Sequence, residues 1–454
     1  METGLTQPLR DPVARLQNMI VLDPGAIDGF LATLSGPDVV RTMFRLDEDE
    51  RQAVLVALAP ETAAEFIEDV PDEVAADLIE GLPVADAASI VTALPGHERA
   101  DVLAEVDDDD LGRILDALNP ETAADARELM SYPAESAGGL MVRDFLAFPP
   151  QTPAREVLET ITSGERDLSR YLLQYSYVVG GGGRLLGVVR TRNLVAADPS
   201  AEIRGLMTRP TAVNAEADLA TVDGCLEEAE VLSLPVTDDT GRLLGVVERS
   251  HVDDALVERA TDDHLKSQGI VRGEELRSMP VRERSGRRLS WLSINIVLNM
   301  ISVSVIAAFE ETLAAVIALA VFLPIVSDMS GCSGNQAVAV SMRELALGIA
   351  SPRDAARVWW QEAKVGILNG LALGLLLGVA AWVWKGSIGL AAVVATALAL
   401  NTLVAVSIGG TVPLLLRRLG ADPAVASGPV LTTVTDMCGF FLVLGLATLA
   451  LGWL

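Results

Sequence analysis

Apolar residues recur every twelve positions through the first third of the chain, in most copies with a proline just after them. Segments such as VPDEVAADLIEG place that proline at the start, an acidic residue next, and apolar residues at helical spacing. This is the pattern of a short helix that begins at a proline. We predict that residues 1–130 form a superhelical stack of short helices around a shared core. The repeated apolar residues are Leu46, Leu58, Val70, Leu82, Leu94, Val106 and Leu118.

A second repeat has the character of β-structure. The segment GRLLGVVR at 183–190 returns as GRLLGVVE at 241–248, and an extended apolar segment followed by a Gly- or Asp-rich turn precedes each copy. Each pair predicts a β-hairpin flanked by helices. We therefore expect two β-β-α domains over 131–256, followed by one polar linking helix over 257–285.

The last part of the chain contains five apolar runs, each long enough for the roughly 20 residues that a membrane-spanning helix needs. Arginines at 282–288 precede the first run, and by the positive-inside rule they place that flank in the cytoplasm. Five spans from a cytoplasmic N-terminus leave the C-terminus outside. We predict a multi-pass cell-membrane domain over 286–454, with spans at about 289–309, 313–341, 359–384, 388–416 and 427–452.

Charge divides the chain in the same place. Residues 1–280 carry 23 Lys and Arg against 53 Asp and Glu, whereas residues 281–454 carry 11 against 9. An acidic surface repels nucleic acid and attracts cations, and crowded carboxylates favour any compact state that a multivalent cation bridges. No phosphate-binding loop is present, and the three histidines form no ligand spacing, so we do not expect an enzyme.

One carboxylate stands near the middle of the last apolar run. Asp436 lies in TTVTDMCGFF, with no Lys or Arg in that segment to pair with it. An ionisable residue at membrane depth is a functional candidate, and a divalent cation prefers such oxygen ligands. A protonated or hydrogen-bonded structural Asp is the alternative. In span two, Pro324, Gly331 and Gly334 should weaken the helix, which is tolerated where backbone lines a water path or packs tightly.

The motifs GILNGLALGLLLG at 366–378 and LGADPAVASGPVLTTVTDMCGFFLVLGLATL at 419–449, in this domain order, resemble the MgtE magnesium channels over the whole chain. The two β-β-α domains resemble tandem CBS domains. The resemblance implies a multidomain α-helical membrane protein with an N-terminal short-helix superhelical domain, tandem α/β CBS domains, a linking plug helix and a five-helix transmembrane domain. It also implies a homodimer with the pore on its axis, in which Asp436 is the selectivity-filter carboxylate for hydrated Mg2+.

The resemblance further implies that cytoplasmic Mg2+ binds between the acidic domains and closes the pore through the linking helix. His97 stands where the family has an acidic partner of Asp101, and Cys332 stands at a family Asn position in span two. The acids that fall at or near family positions are Asp101, Glu216, Glu230, Asp254, Glu258, Asp262 and Asp263.

Nucleotide-binding CBS domains often carry a Thr or Ser and an Asp after the GVV strand. Here those places hold Arg190 and Asn193 in the first copy and Glu248 and His251 in the second, so we do not expect a nucleotide cofactor. Two other functions stay open. The chain could conduct another divalent cation such as Co2+ or Mn2+, or it could be a membrane-anchored metal sensor without a pore.

Overall fold

The computed structural model describes residues 11–163, 173–270, 279, 281–346 and 348–453. Contacts within the chain divide it into two compact bodies, which are described separately. The N-terminal body comprises residues 1–259 and the C-terminal body residues 260–454.

Ten short helices between residues 11 and 130, all of them described, begin the N-terminal body and confirm the predicted stack. From the fifth onward each packs on the next but one, so α5 contacts α7 and α6 contacts α8. The repeated apolar residues are all buried, none more than 8% exposed. The helices are α1 (Pro12–Leu22), α2 (Ile27–Leu31), α3 (Gly36–Met43), α4 (Glu48–Ala57), α5 (Pro60–Glu68), α6 (Asp72–Glu80), α7 (Val84–Ala93), α8 (Gly96–Glu105), α9 (Asp108–Ala117) and α10 (Pro120–Leu129).

In four of the seven repeats the apolar residue also follows its helix directly, at Leu58, Leu94, Val106 and Leu118. Leu94 follows the last residue of α7 and has an extended backbone with ψ of 147°. Pro95 comes next, and a residue before proline is pushed out of the α conformation. The twelve-residue repeat thus encodes a buried helix stop followed at once by a new helix start.

Two three-stranded sheets follow, and they confirm the predicted hairpins. In each sheet a short strand runs parallel to the first strand of an antiparallel hairpin. The strands are β1 (Ala147–Phe148), β2 (Tyr175–Val179) and β3 (Leu185–Arg190) in one sheet, and β4 (Val213–Asn214), β5 (Ser233–Thr237) and β6 (Leu243–Glu248) in the other. Their helices are α11 (Ala154–Thr162), α12 (Thr191–Ala196), α13 (Leu219–Ala229) and α14 (Arg249–Ser267).

The extent predicted for the linking helix was wrong. The polar helix is α14, which begins directly after β6 and ends at Ser267 instead of continuing to residue 285. Gly269 adopts φ of 87°, a left-handed conformation that terminates helices. Residues 271–278 and 280 lie outside the described residues, and the arginines at 282–288 belong to the next helix.

Within its described residues, the C-terminal body contains five helices that are long and apolar enough to cross a membrane, as predicted. A short helix and a 3-10 turn at Ile317–Val321 come between the first and second. The fourth long helix is central and contacts the second, third and fifth. The helices are α15 (Val281–Ala308), α16 (Glu310–Ala315), α17 (Leu323–Ala346), α18 (Ala355–Lys385), α19 (Ile388–Arg418) and α20 (Pro423–Leu449).

The glycines of span two do not loosen its backbone. Pro324 lies in the first turn of α17, where proline is tolerated, and the helix continues through Gly331 and Gly334. The non-helical backbone lies earlier, at Val316, with φ of −131° and ψ of 71°. Gly334 and Gly409 instead allow α17 and α19 to cross closely, because a Cβ added at Gly409 of α19 would overlap the Gly334 carbonyl oxygen.

This crossing predicts that Gly409→Ala destabilises the C-terminal body. The added methyl group meets backbone, which cannot rotate away, so α17 and α19 must separate at a cost of about 1–3 kcal/mol. Thermal unfolding of the detergent-solubilised protein should show a lower midpoint. Gly445→Ala in α20 is the matched control, since nothing lies within 4 Å of its added Cβ. Equal midpoints for the two variants would contradict the crossing.

Candidate ion pathway and candidate cation sensor

Asp436 lies in the middle of α20 and is partly buried. Ser327, in the first turn or two of α17, donates a hydrogen bond from its hydroxyl to Asp436 Oδ1. That contact fixes the carboxylate between two helices. The sequence singled out Asp436 but not Ser327, because a serine in an apolar helix usually bonds its own backbone.

Polar side chains continue from Asp436 along an uncovered surface of the C-terminal body. On α17, Asp328, Cys332 and Asn335 are exposed and fall four and three residues apart, which places them on one side of the helix. Thr432, one turn before Asp436 on α20, is also exposed. These five residues are called the polar face below. An exposed row of polar groups on membrane-length helices marks a surface that needs water or a partner.

A cavity of about 700 Å3 lies at one end of the polar face. Asn335 and Thr432 line it, together with Asp263 and Ser267 from the end of α14 and Trp291 of α15. The end of α14 therefore lies beside the polar face.

An ion pair network joins α14 to the start of α20. Lys266 Nζ lies 2.6 Å from Asp262 Oδ2 and 3.7 Å from Asp422 Oδ2. The hydrogen bond to Asp262, together with both nearby aspartates, raises the pKa of Lys266, so the side chain is charged. Asp422 also accepts a hydrogen bond from the Ala424 amide as the N-cap of α20. Asp262 is therefore paired with a lysine, which weakens its case as a cation ligand.

The N-terminal body holds a group of mutually repelling acids. Burial, then Asp72 and Glu98, raise the pKa of Asp101 to about 8. Burial, then Asp72 and Glu68, raise the pKa of Glu98 to about 7, with Glu258 and Asp254 adding to the effect. Three of the predicted residues, Asp101, Asp254 and Glu258, thus meet here. We call the whole group the acidic cluster: Glu68, Asp72, Glu98, Asp101, Glu105, Asp254 and Glu258.

The sequence missed Asp72 and Glu98 although it contained a signal for them. Both lie in the first turn of a helix, where an acid ordinarily stabilises the helix N-terminus. Because α6 and α8 pack together, these first turns bring two acids to one place. Stacking of alternate helices was the missing information.

His97 does not act as an acid substitute within the acidic cluster. Its ring is buried and stacks on His251 of α14, with ring centroids 4.3 Å apart. Burial and the nearby His251 lower the pKa of His97 to about 3, so its ring is uncharged at neutral pH. This pair joins α8 and α14 by packing, beside the repelling acids.

Glu216 and Glu230 lie elsewhere in the second CBS-like domain. Glu216 is exposed after β4, and Glu230 is exposed at the end of α13 in a left-handed conformation. Among the described residues, no three carboxylate, imidazole or thiol groups are arranged as a ready-made metal site. A cation bound by the acidic cluster would therefore keep part of its hydration shell, as Mg2+ commonly does.

The acidic cluster predicts a stability that falls as pH rises. A carboxyl group whose folded-state pKa is raised binds its proton more tightly in the folded protein, so stability is lost between pH 4 and the raised values near 7 and 8. Without divalent ions, the N-terminal body of the full-length protein should lose on the order of 2 kcal/mol between pH 5.5 and 8.5. Hydrogen exchange of the α8 amides measures this.

The double variant Glu98→Gln with Asp101→Asn should remove most of that pH dependence. The exposed Asp116→Asn on α9 is the control and should leave the dependence unchanged. A double variant that retains the wild-type pH dependence would contradict the acidic cluster as its source.

Comparisons with known proteins bear on both regions. A family model described as MgtE, divalent cation transporter, matches residues 323–446, and the MgtE intracellular N domain matches residues 34–135. The CBS domain model matches 137–200 and 202–258. The magnesium transporter MgtE of Thermus thermophilus is 35% identical over 346 residues, 75% of either chain. The chain belongs to the MgtE family. The magnesium transporter MgtE of Bacillus subtilis is 29% identical, over 76% of this chain and 78% of its own length.

Membership in the MgtE family confirms a membrane-embedded magnesium transporter with an N domain and two CBS domains. The family is not a class of enzymes. Two solved structures are similar to the cytosolic part. The soluble part of a magnesium transporter has a TM-score of 0.48 at 22% identity, covering 55% of this chain and 98% of that one. The cytosolic domain of the Mg2+ channel MgtE in complex with ATP has a TM-score of 0.49 at 28%, covering 54% and 99%.

Proposed function

We propose that this MgtE-family chain is a Mg2+-selective channel of the cell membrane in which Asp436 binds the permeating ion. The observation that carries the proposal is the Asp436 carboxylate, held on one side by Ser327 and opening onto the polar face. A carboxylate at membrane depth attracts a divalent cation, and a single carboxylate suits an ion that keeps most of its water. We place the N-terminus in the cytoplasm and the C-terminus outside.

The channel we propose is a homodimer whose pore lies between two copies of the polar face. Exposed to lipid, a row containing Asp328, Asn335 and Asp436 would leave polar groups without partners in hydrocarbon. A second copy would enclose the two rows around water. The first span supports the need for a partner. Only 6% of the apolar segment of α15 is buried within the chain, and this helix contacts mainly α20.

In this proposal cytoplasmic Mg2+ closes the channel by acting on the acidic cluster. Without Mg2+, Glu98 and Asp101 of α8 are crowded by Glu258 of α14, and their raised pKa values mean that ionising them there costs free energy. Mg2+ between them would replace repulsion with bridging and favour the compact arrangement. Asp263 of the same helix lines the cavity at the end of the polar face, and we propose that α14 transmits the change.

We propose that Mg2+ alone operates this sensor. A solved relative is a complex with ATP, but Arg190 and Glu248 here end β3 and β6 at places where nucleotide-binding CBS domains carry other residues. Binding of ATP at submillimolar concentration to the purified chain, measured by calorimetry, would contradict this part of the proposal.

Ion uptake into proteoliposomes tests which cation the channel carries. We expect Mg2+ to enter faster than Mn2+ or Co2+ at equal concentration, and Asp436→Ala to reduce all three. Faster entry of Mn2+ or Co2+ would favour the alternative of a channel for another divalent cation, which would use the same oxygen ligands.

The Lys266 network predicts an effect on closure. We propose that the contact between Lys266 and Asp422 belongs to the closed channel. Lys266→Met removes it, so inhibition by cytoplasmic Mg2+ should require roughly two- to fivefold more ion, as suits a partly exposed ion pair. The half-inhibiting concentration in the uptake assay measures the change. Lys385→Met, at the far end of α18, is the control and should behave as wild type. Identical values for the two variants would exclude a role for Lys266 in closure.

A further inference from the structure

Three helices attach to α20 around Asp436. Ser327 of α17 bonds the carboxylate itself. Ser302 of α15 donates to the Thr433 carbonyl oxygen at 3.2 Å, while also bonding within its own helix. Asn401 of α19 donates from Nδ2 to the Thr435 carbonyl oxygen at 3.1 Å. The last contact lies on the peptide group that leads into Asp436.

Asn401 reaches that carbonyl only because of a glycine. In an α-helix the Thr435 carbonyl points toward the residue four positions later, which is Gly439. A Cβ at Gly439 would lie 2.8 Å from Asn401 Nδ2. The missing side chain therefore exposes the Thr435 carbonyl to the amide of a neighbouring helix.

Asn401 lowers the stability of the fold if its role is purely structural. Its side chain is fully buried in the middle of α19, and its Oδ1 atom has no hydrogen-bond partner among the described residues. A buried amide with one unmet acceptor destabilises a protein relative to an apolar side chain of the same shape. Groups that weaken the fold in this way are typical of functional sites.

We propose that Asn401 is a positioning residue for Asp436: by holding the Thr435 carbonyl, it fixes the rotation and depth at which α20 presents the ion-binding carboxylate. The inference rests on the proposed pore role of Asp436. Ser327 and Asn401 then constrain Asp436 from two helices, one at the side chain and one at the backbone. A mispositioned carboxylate would still attract cations but would discriminate less between the hydrated Mg2+ ion and the larger Ca2+ ion.

The test compares Asn401→Leu with Thr402→Val in the uptake assay. Thr402 is the matched control, because it is the next residue of α19, fully buried, and its hydroxyl has no partner among the described residues. We expect Asn401→Leu to lower Mg2+ uptake about five- to tenfold, the effect of losing one hydrogen bond, and to lower the ratio of Mg2+ to Ca2+ uptake. Its melting temperature should not fall. Thr402→Val should match wild type in all three measurements.

Gly439→Ala provides a second variant that leaves Asn401 in place. Alanine favours helix, but its methyl group displaces the Asn401 amide, so the same loss of discrimination is expected. It carries the test if Asn401→Leu does not fold. Wild-type uptake and discrimination in the folded variants would overturn the inference, and so would reduced uptake with unchanged discrimination and a lowered melting temperature. Wild-type uptake by Asp436→Ala, measured beside them, would overturn the pore assignment itself.

Discussion

Mg2+ uptake is expected to fall about a hundredfold or more when Asp436 is replaced by alanine. The residue supplies the one carboxylate of α20, is partly buried beside Ser327, and forms no salt bridge within the described part of the chain. Removing a full negative charge at membrane depth takes away both the attraction for the ion and the compensation for its lost water. A hundredfold loss corresponds to about 2.8 kcal/mol. The fluorescence of a Mg2+-sensitive dye enclosed in proteoliposomes measures the uptake.

Two further variants make the result specific to the carboxylate. Asp436→Asn keeps the size and the contact with Ser327 but not the charge, so it should resemble alanine. Ser327→Ala keeps the charge and should lose much less activity. The pore assignment would fail if Asp436→Asn conducted as wild type, because the oxygen would then act without its charge.

The second large effect is expected from neutralising the acidic cluster. The triple variant Glu98→Gln, Asp101→Asn and Glu258→Gln removes three carboxyl groups that crowd one another across α8 and α14. Neither repulsion nor bridging by Mg2+ then remains at full strength. The concentration of cytoplasmic Mg2+ that halves uptake should rise at least about tenfold, or inhibition should disappear, which corresponds to about 1.4 kcal/mol or more of lost coupling.

A matched triple variant separates this effect from general loss of acidity. Asp108, Asp109 and Asp116 lie on α9 outside the acidic cluster and are exposed, and their conversion to amides removes the same number of carboxyl groups. That control should keep the wild-type response to Mg2+. If both triple variants lost inhibition equally, net charge and not the acidic cluster would be the sensor.

Local rules were sufficient to predict most of the architecture. The twelve-residue period predicted short helices, because a buried Leu before a proline both fills the core and stops the helix. The GRLLGVV repeat predicted two hairpins, and hydropathy predicted five spans. Each of these depends on residues close together in sequence. The same rules failed at α14, where a single left-handed glycine ended a helix that its polar composition favoured continuing.

The candidate sites depended on contacts between distant segments, and prediction was poorer there. Asp436 could be found because a lone acid in an apolar helix is conspicuous. Ser327 and Asn401 could not be found, since the role of a buried serine or asparagine depends on the group that it contacts on a neighbouring helix. The predicted group of cytoplasmic acids was divided by the fold. Asp101, Asp254 and Glu258 meet Glu98, whereas Asp262 pairs with Lys266 and Glu216 stands on an exposed surface.

Current recording from the purified wild-type chain in a planar bilayer, with Mg2+ as the charge carrier, tests the proposed channel most directly. The proposal predicts a Mg2+ current that falls when the Mg2+ concentration is raised on the side of the bilayer where the acidic cluster lies. It predicts no such current from Asp436→Ala. A folded wild-type protein that binds Mg2+ through its cytoplasmic part but passes no Mg2+ current or flux would contradict it, and would indicate a membrane-anchored sensor instead.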